Sequence, residues 1–244
     1  MSFKSYAALR AHRSLFLSHA VADVKKWCAP AGEIVEGRKP SDQHWLRKFG
    51  ADIQSVNGED ARLFLITFML IRASWETDSV ATEIRSLASL PEFAPTADIP
   101  AFAKRLQSLN KRKARQTSAA SKIATFVHPS SEVYIWDALA TKSARLRARE
   151  RGDEAGTDLD VYRNGKEHDY VAFHAACASA REDEKQQPDF QQAVADLLAY
   201  FAAQGCEMSN RNKVPDHFIE RRLLDKLMFW EGWAVDRGQL PTFV

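Results

Sequence analysis

From one end to the other, this 244-residue chain spaces its apolar residues three and four apart, and no run of it alternates as a half-buried strand must. A chain with that single period has to bury helices against helices. Proline and glycine set the punctuation. A first helix is expected over about residues 4–27, ending before Pro30, Ala31 and Gly32, and Ser41 is a good N-cap for SDQHWLRKFG. Gly58 precedes a helix containing LFLITFMLI, and the polar break at 74–78 starts another that reaches about Leu90. Pro91, Pro95 and Pro100 read as a linker, with Asp98 capping a helix that reaches Leu109. Helices follow over about 118–127 and from about Val133 into ARLRARERG. After the polar loop GDEAGTDLD come three more, at about 166–184, 188–204 and 215–230, the last two opened by prolines that suit a first helical turn. The expectation is an all-α protein of about nine or ten helices. It forms one compact domain over 1–244, or two lobes at 1–97 and 98–244 with a cleft between them.

Several classes of function are disfavoured. The longest apolar run, LFLITFMLI at 63–71, is about half of the roughly 20 residues needed to cross a bilayer, so it is expected as a buried helix. The N-terminal stretch is interrupted by charges and lacks a signal-peptide core, which points to a cytoplasmic protein. Cys28, Cys177 and Cys206 are far apart and odd in number, without CxxC spacing, and read as small buried apolar residues. The seven histidines are scattered and include no HExxH pair. No metal, no other cofactor and no obligate protein partner are expected.

Charge is unevenly placed. The formal net charge is +2, yet residues 104–151 hold twelve Lys and Arg against Glu132, Asp137 and Glu150, a local excess of +9. A basic centre in an acidic frame points to a localised anionic partner. Arg145, Arg147 and Arg149 alternate at spacing two, so a helix spreads them over more than one face.

Within that region SAASKIATFVHPSSEVYIWDALA, residues 118–140, puts Lys122 and Asp137 into stretches that otherwise read as core. They are expected early in two helices joined by a Pro turn, which returns them toward each other. An ordinary ion pair accounts for such residues. So does chemistry: a lysine partly desolvated beside apolar and cationic neighbours becomes a usable amine nucleophile, and a nearby aspartate can stabilise developing positive charge.

The same stretch resembles the catalytic region of the helix-hairpin-helix DNA glycosylases, in particular a divergent bacterial branch of the 8-oxoguanine glycosylase-like proteins. The resemblance covers about residues 105–145. It matches Lys122 of SAASKIATF to the family's lysine and Asp137 of VYIWDALA to its aspartate. Family hairpins carry glycines just before the lysine, whereas Ser118, Ala119, Ala120 and Ser121 stand here. The resemblance implies removal of a damaged or modified base flipped out of DNA, with Lys122 attacking the sugar C1′, a Schiff base that permits strand cleavage, and Asp137 stabilising the charge. It implies phosphate contacts from Lys111, Arg112, Lys113 and Arg115, just upstream, and from Ser118 and Ser121 in the hairpin. Phe126, Trp75, Phe229 and Trp230 are the candidate base-pocket walls, although each also fits ordinary core packing. Two other readings stand beside this one: a non-catalytic helical module that binds nucleic acid, and an acid-surfaced scaffold for protein interactions.

Overall fold

The computed structural model describes residues 3–28, 34–36, 39–70, 74–111, 113, 116–153, 169–205 and 216–242. Among them it is all-α, with eleven helices and one short antiparallel ribbon that pairs Ile34–Glu36 with Lys39–Pro40. No helix among the described residues is long and apolar enough to cross a membrane. The chain divides into two compact units, each built of more than one segment: residues 1–26, 136–200 and 216–244 form the first, and 27–135 with 201–215 the second.

The first unit contains α1 (Tyr6–Arg10), α2 (Arg13–Trp27, its last residue across the boundary) and α8 (Ala138–Arg151). It also holds α9 (Tyr170–Lys185), most of α10 (Pro188–Ala203) and α11 (Asp216–Arg237). Helix α8 packs along α11 and also against α9 and α1. Its small residues Ala140, Ala144 and Ala148 recur every four positions and are all buried, so one stripe of the helix admits a close neighbour. Gly232 of α11 completes that approach: a Cβ there would lie 1.9 Å from the carbonyl oxygen of Leu139.

A fully buried charge cluster sits in the same packing. Arg147 of α8 donates from Nε and Nη2 to the two carboxylate oxygens of Glu231 on α11, at 3.0 and 2.7 Å, and from Nη2 to Glu184 of α9 at 2.8 Å. The Ser143 hydroxyl also donates to Glu231, and Arg13 of α2 bonds Glu184 and, on α10, Asp189. The guanidinium of Arg147 lies 4.5 Å over the ring of Tyr6 on α1. Burial pulls its pKa down, but Glu231, Tyr6 and Glu184 outweigh that and hold it above its ordinary value. Arg147 is therefore a core residue and has no face to offer DNA.

The second unit contains α3 (Asp42–Phe49), a 3-10 turn (Ile53–Ser55), α4 (Gly58–Thr67), α5 (Thr77–Ala88), α6 (Pro95–Ser108) and α7 (Thr117–Val127). Ser41 caps α3, accepting from the His44 amide at 3.4 Å. Asn57 and Asp60 form a reciprocal capping box at the start of α4. Rings of Trp45, Phe49, Phe64, Phe68 and Phe126 stack edge to face and tilted through the middle of the unit. Helix α7 packs on α6, α3 and α5.

Four expectations are corrected. The N-terminal helix breaks at Ala11 and His12 into α1 and α2. The proline-marked linker is largely helix, because Pro95 takes the first helical position and Asp98 accepts from the Ala94 amide at 2.7 Å. The LFLITFMLI run is not one buried helix: α4 ends at Thr67, and Met69 takes φ 55° and is 74% exposed. Helix α8 starts at Ala138 instead of near Val133, since residues 133–136, with two β-branched and two aromatic side chains, are buried outside any helix and Asp137 is the N-cap.

Removing one member of the buried cluster leaves the others uncompensated. Glu231→Ala is expected to lower unfolding stability by about 3–5 kcal/mol, and Arg147→Met combined with Glu231→Leu to recover most of that loss. Denaturant titration followed by far-UV circular dichroism reads both, and a loss below about 1 kcal/mol for Glu231→Ala would place it with ordinary surface pairs.

Candidate functional site

In the second unit α6 and α7 lie against each other, joined by residues 109–116, so that a helix, a connection and a second helix form one hairpin. The connection is pinned to the segment before α5. The Glu76 amide donates to the Leu109 carbonyl and the Lys111 amide to the Ser74 carbonyl, both at 3.1 Å, with Trp75 opposite Asn110. Lys111 and Lys113 emerge from this bridge exposed. Lys113 takes φ 50°; its own carbonyl accepts from the side chain of Gln107 at 2.5 Å, and its ammonium donates to the Ser108 carbonyl at 2.5 Å. Arg112 and Arg115, expected to contact phosphate, lie outside the described residues.

Helix α7 is enclosed by its neighbours, and nine of its eleven residues are buried. The two that are not are Ser118 and Lys122, four apart and therefore on one helical face. Ile123, Phe126 and Val127, which follow the lysine on the same helix, are buried. The first turn of α7 contains no acidic side chain, and its leading amides have no partner within the helix, which leaves its N-terminus favourable to an anion. Ser121 is fully buried and its hydroxyl donates to the Ser118 carbonyl at 3.2 Å, which places it in the packing of α7 and away from any phosphate.

Asp137 belongs to the first unit. As N-cap of α8 it accepts from the Leu139 amide at 2.8 Å, and its carbonyl accepts from the Thr141 hydroxyl at 2.7 Å. Its carboxylate is half-buried, fixed in direction by that cap.

The four aromatic candidates fall in different surroundings. Phe126 is fully buried, 5.4 Å from Phe68 and 5.9 Å from Phe64, so its ring is part of the core. Trp75 is half-buried at the bridge and donates its indole N–H to the Leu70 carbonyl at 3.3 Å. Phe229 and Trp230, half-buried on α11, meet edge to face at 5.5 Å; Trp230 donates to Asp23 at 3.2 Å and leans on His19 at 4.7 Å.

The basic segment carries less free charge than its composition shows. Arg105 pairs with Glu83 at 2.7 Å, Arg151 with Asp183 at 2.9 Å, Lys142 with Asp236, and Arg147 lies in the buried cluster. A cavity of about 330 Å³ in the first unit is walled by such pairs, Arg10 with Glu150 and Arg13 with Glu184 among them, and none of the sequence-derived site residues lines it. Cys28 and Cys177 are buried thiols outside any disulfide, and burial raises the pKa of Cys177 well above its ordinary value, so it is no nucleophile. Among the described residues no group of three or more His, Cys, Asp or Glu could hold a metal ion. No family model, curated protein or solved structure matches the chain.

Two histidines support this unit in their neutral form. His128 closes α7, stacks on Phe93 at 4.1 Å and donates from Nε2 to the Leu87 carbonyl at 3.0 Å. Burial lowers its pKa and that of His44, outweighing for His128 the opposing pull of the Leu87 carbonyl and Asp98. A histidine with a depressed folded pKa contributes stability that is fully present above its unfolded value of about 6.5 and is lost as pH falls through the folded one. Melting temperature is therefore expected to drop between about pH 7.5 and 5.5, and His44→Gln with His128→Gln to flatten that slope. A slope unchanged in the double variant would assign the acid sensitivity to other groups.

Proposed function

We propose that the protein is a DNA glycosylase-like enzyme that removes a damaged or modified base, with Lys122 as nucleophile. The observation that carries this reading is α7: an otherwise enclosed helix leaves open one face, holding Lys122 and Ser118, beside a connection with two exposed lysines. Lys122 supplies an amine on that face, the kind of group that such a covalent step requires. In the proposed step the Lys122 nitrogen bonds to the sugar C1′ as the N-glycosidic bond breaks, and the base leaves with the bonding pair and gains a proton. Loss of the amine proton and opening of the sugar ring give a Schiff base, from which elimination cleaves the strand. Lys111 and Lys113 hold phosphates, and the resemblance assigns to Asp137 the stabilisation of positive charge on the sugar. A cytoplasmic location and damaged DNA as partner belong to the same proposal.

The non-catalytic alternative has its own support. The four residues before Lys122 contain no glycine and Ser121 is sealed in the core, so this hairpin lacks the usual backbone approach to a phosphate. A nucleic-acid-binding module needs only the exposed lysines.

Borohydride separates the two, because hydride reduces a Schiff base to a stable amine and fixes protein to DNA. On abasic-site or oxidised-purine duplexes the wild-type chain is expected to yield a covalent adduct, and Lys122→Gln to yield none while keeping most of the affinity. Asp137→Asn retains an equivalent helix cap, so its expected effect, a rate about 10²–10³-fold lower at unchanged folding, reports the charge alone. An active Lys122→Gln protein excludes the mechanism. DNA binding without any adduct selects the non-catalytic reading.

A further inference from the structure

The cavity of about 330 Å³ lies wholly within the first unit, walled by α1, α2, α8, α9 and the two residues that follow α9. Four arginines line it against three carboxylates. Two of the arginines have close carboxylate partners, Arg13 in Glu184 and Asp189, and Arg151 in Asp183 at 2.9 Å. Other donors on the walls are not engaged. Nη1 of Arg147 is buried and has no hydrogen-bond partner among the described residues. The hydroxyl of Tyr6, whose ring lies against the Arg147 guanidinium, and the exposed side-chain amide of Gln186 have none there either. The Arg10 side chain is 62% exposed and is held by one long contact, 3.5 Å to Glu150.

A buried guanidinium N–H without an acceptor carries the cost of its lost hydration, which a bound acceptor recovers. Burial raises the pKa of the Tyr6 phenol more than Arg147 lowers it, so the hydroxyl stays protonated and able to donate. Of the lining carboxylates, Glu184 is already shared by Arg13 and Arg147. Glu150 and Asp183 are exposed, and exposed pairs are weak enough for both to turn to water. What the cavity lacks is an acceptor-rich group. A phosphate brings three acceptor oxygens where a carboxylate brings two, and the planar fork of arginine matches it. The volume lies at the lower end of small-molecule sites, roughly 300–1,000 Å³, so it admits a compact phosphorylated molecule.

We propose that this cavity binds the phosphate group of a small molecule, with Arg147 Nη1 and the Tyr6 hydroxyl donating from its more buried side and Arg10 and Gln186 from its exposed side. None of these residues belongs to the hairpin of α6 and α7. The site therefore stands apart from the reading of that hairpin as a DNA glycosylase, and neither needs the other.

The test titrates the full chain with inorganic phosphate and with adenosine 5′-monophosphate, by calorimetry and by melting temperature, against sodium chloride of matched ionic strength. Both phosphates are expected to bind and to raise the melting temperature with the logarithm of their concentration, and chloride to do neither. Arg10→Gln removes one charge-assisted contact and is expected to weaken phosphate binding about tenfold. Tyr6→Phe keeps the ring over Arg147 and is expected to weaken it several-fold. Glu150→Gln frees Arg10 and removes a negative charge, so it is expected to tighten binding, which a cavity that is only a set of structural ion pairs would not show. Arg10 and Glu150 are exposed and Phe preserves the packing of Tyr6, so the three variants fold, which circular dichroism checks. A duplex titrated into the same proteins separates the sources of phosphate, because Arg10→Gln is expected to leave DNA affinity unchanged. No binding beyond that of chloride overturns the site, as does wild-type affinity in both Arg10→Gln and Tyr6→Phe, or weaker binding in Glu150→Gln. DNA affinity that falls in step with phosphate affinity gives the contacts to the nucleic-acid backbone and overturns the small ligand.

Discussion

The contact between the Arg147 guanidinium and the Glu231 carboxylate is the interaction on which the first unit depends. It is bidentate, fully buried and shared with Glu184, and through Arg13, Ser143 and Tyr6 it touches α1, α2, α8, α9 and α11. A buried charge left alone is strongly unfavourable, so these helices must assemble in one arrangement or leave a charge unpaired. The small-residue stripe of α8 and Gly232 of α11 bring the backbones close enough for that pairing. Packing and charge thus impose the same geometry on this unit.

The basic residues of the 104–151 segment differ in their partners. Of the basic residues between 104 and 151, Arg147 is sealed in the core and Arg105, Lys142 and Arg151 have carboxylate partners. Lys111 and Lys113 remain exposed on the α6–α7 connection, and Lys122 sits half-buried on the open face of α7. In the proposed function these three roles differ: the paired arginines hold the fold, the exposed lysines meet phosphate, and the half-buried lysine does chemistry.

Much of the helical order was legible because it is written locally. Ser41 and the proline at 188 act within one turn of where they stand, and the period of the apolar residues needs no distant partner. Lys122 was singled out for the same reason: one cation in a run that otherwise reads as core. The burial of Arg147 was not legible, since its partners lie 37 and 84 residues away. In sequence it is one of three alternating arginines. The late start of α8 was hidden by an apolar stretch that suits either a helix or an extended segment, and only the Asp137 cap decides between them. The exposure of Met69 was masked by the apolar run around it, in which no proline or glycine marks the end of the helix at Thr67.

The partition of charge is the central claim, and the salt dependence of DNA affinity measures it. Each phosphate contact contributes about 0.9 to the slope of log affinity against log salt concentration on duplex DNA. Lys111→Gln with Lys113→Gln and Arg105→Gln with Arg151→Gln remove the same formal charge. The account predicts that the lysine pair lowers the slope by about two and that the arginine pair leaves it unchanged. Equal changes for the two pairs, or a larger one for the arginines, would contradict it.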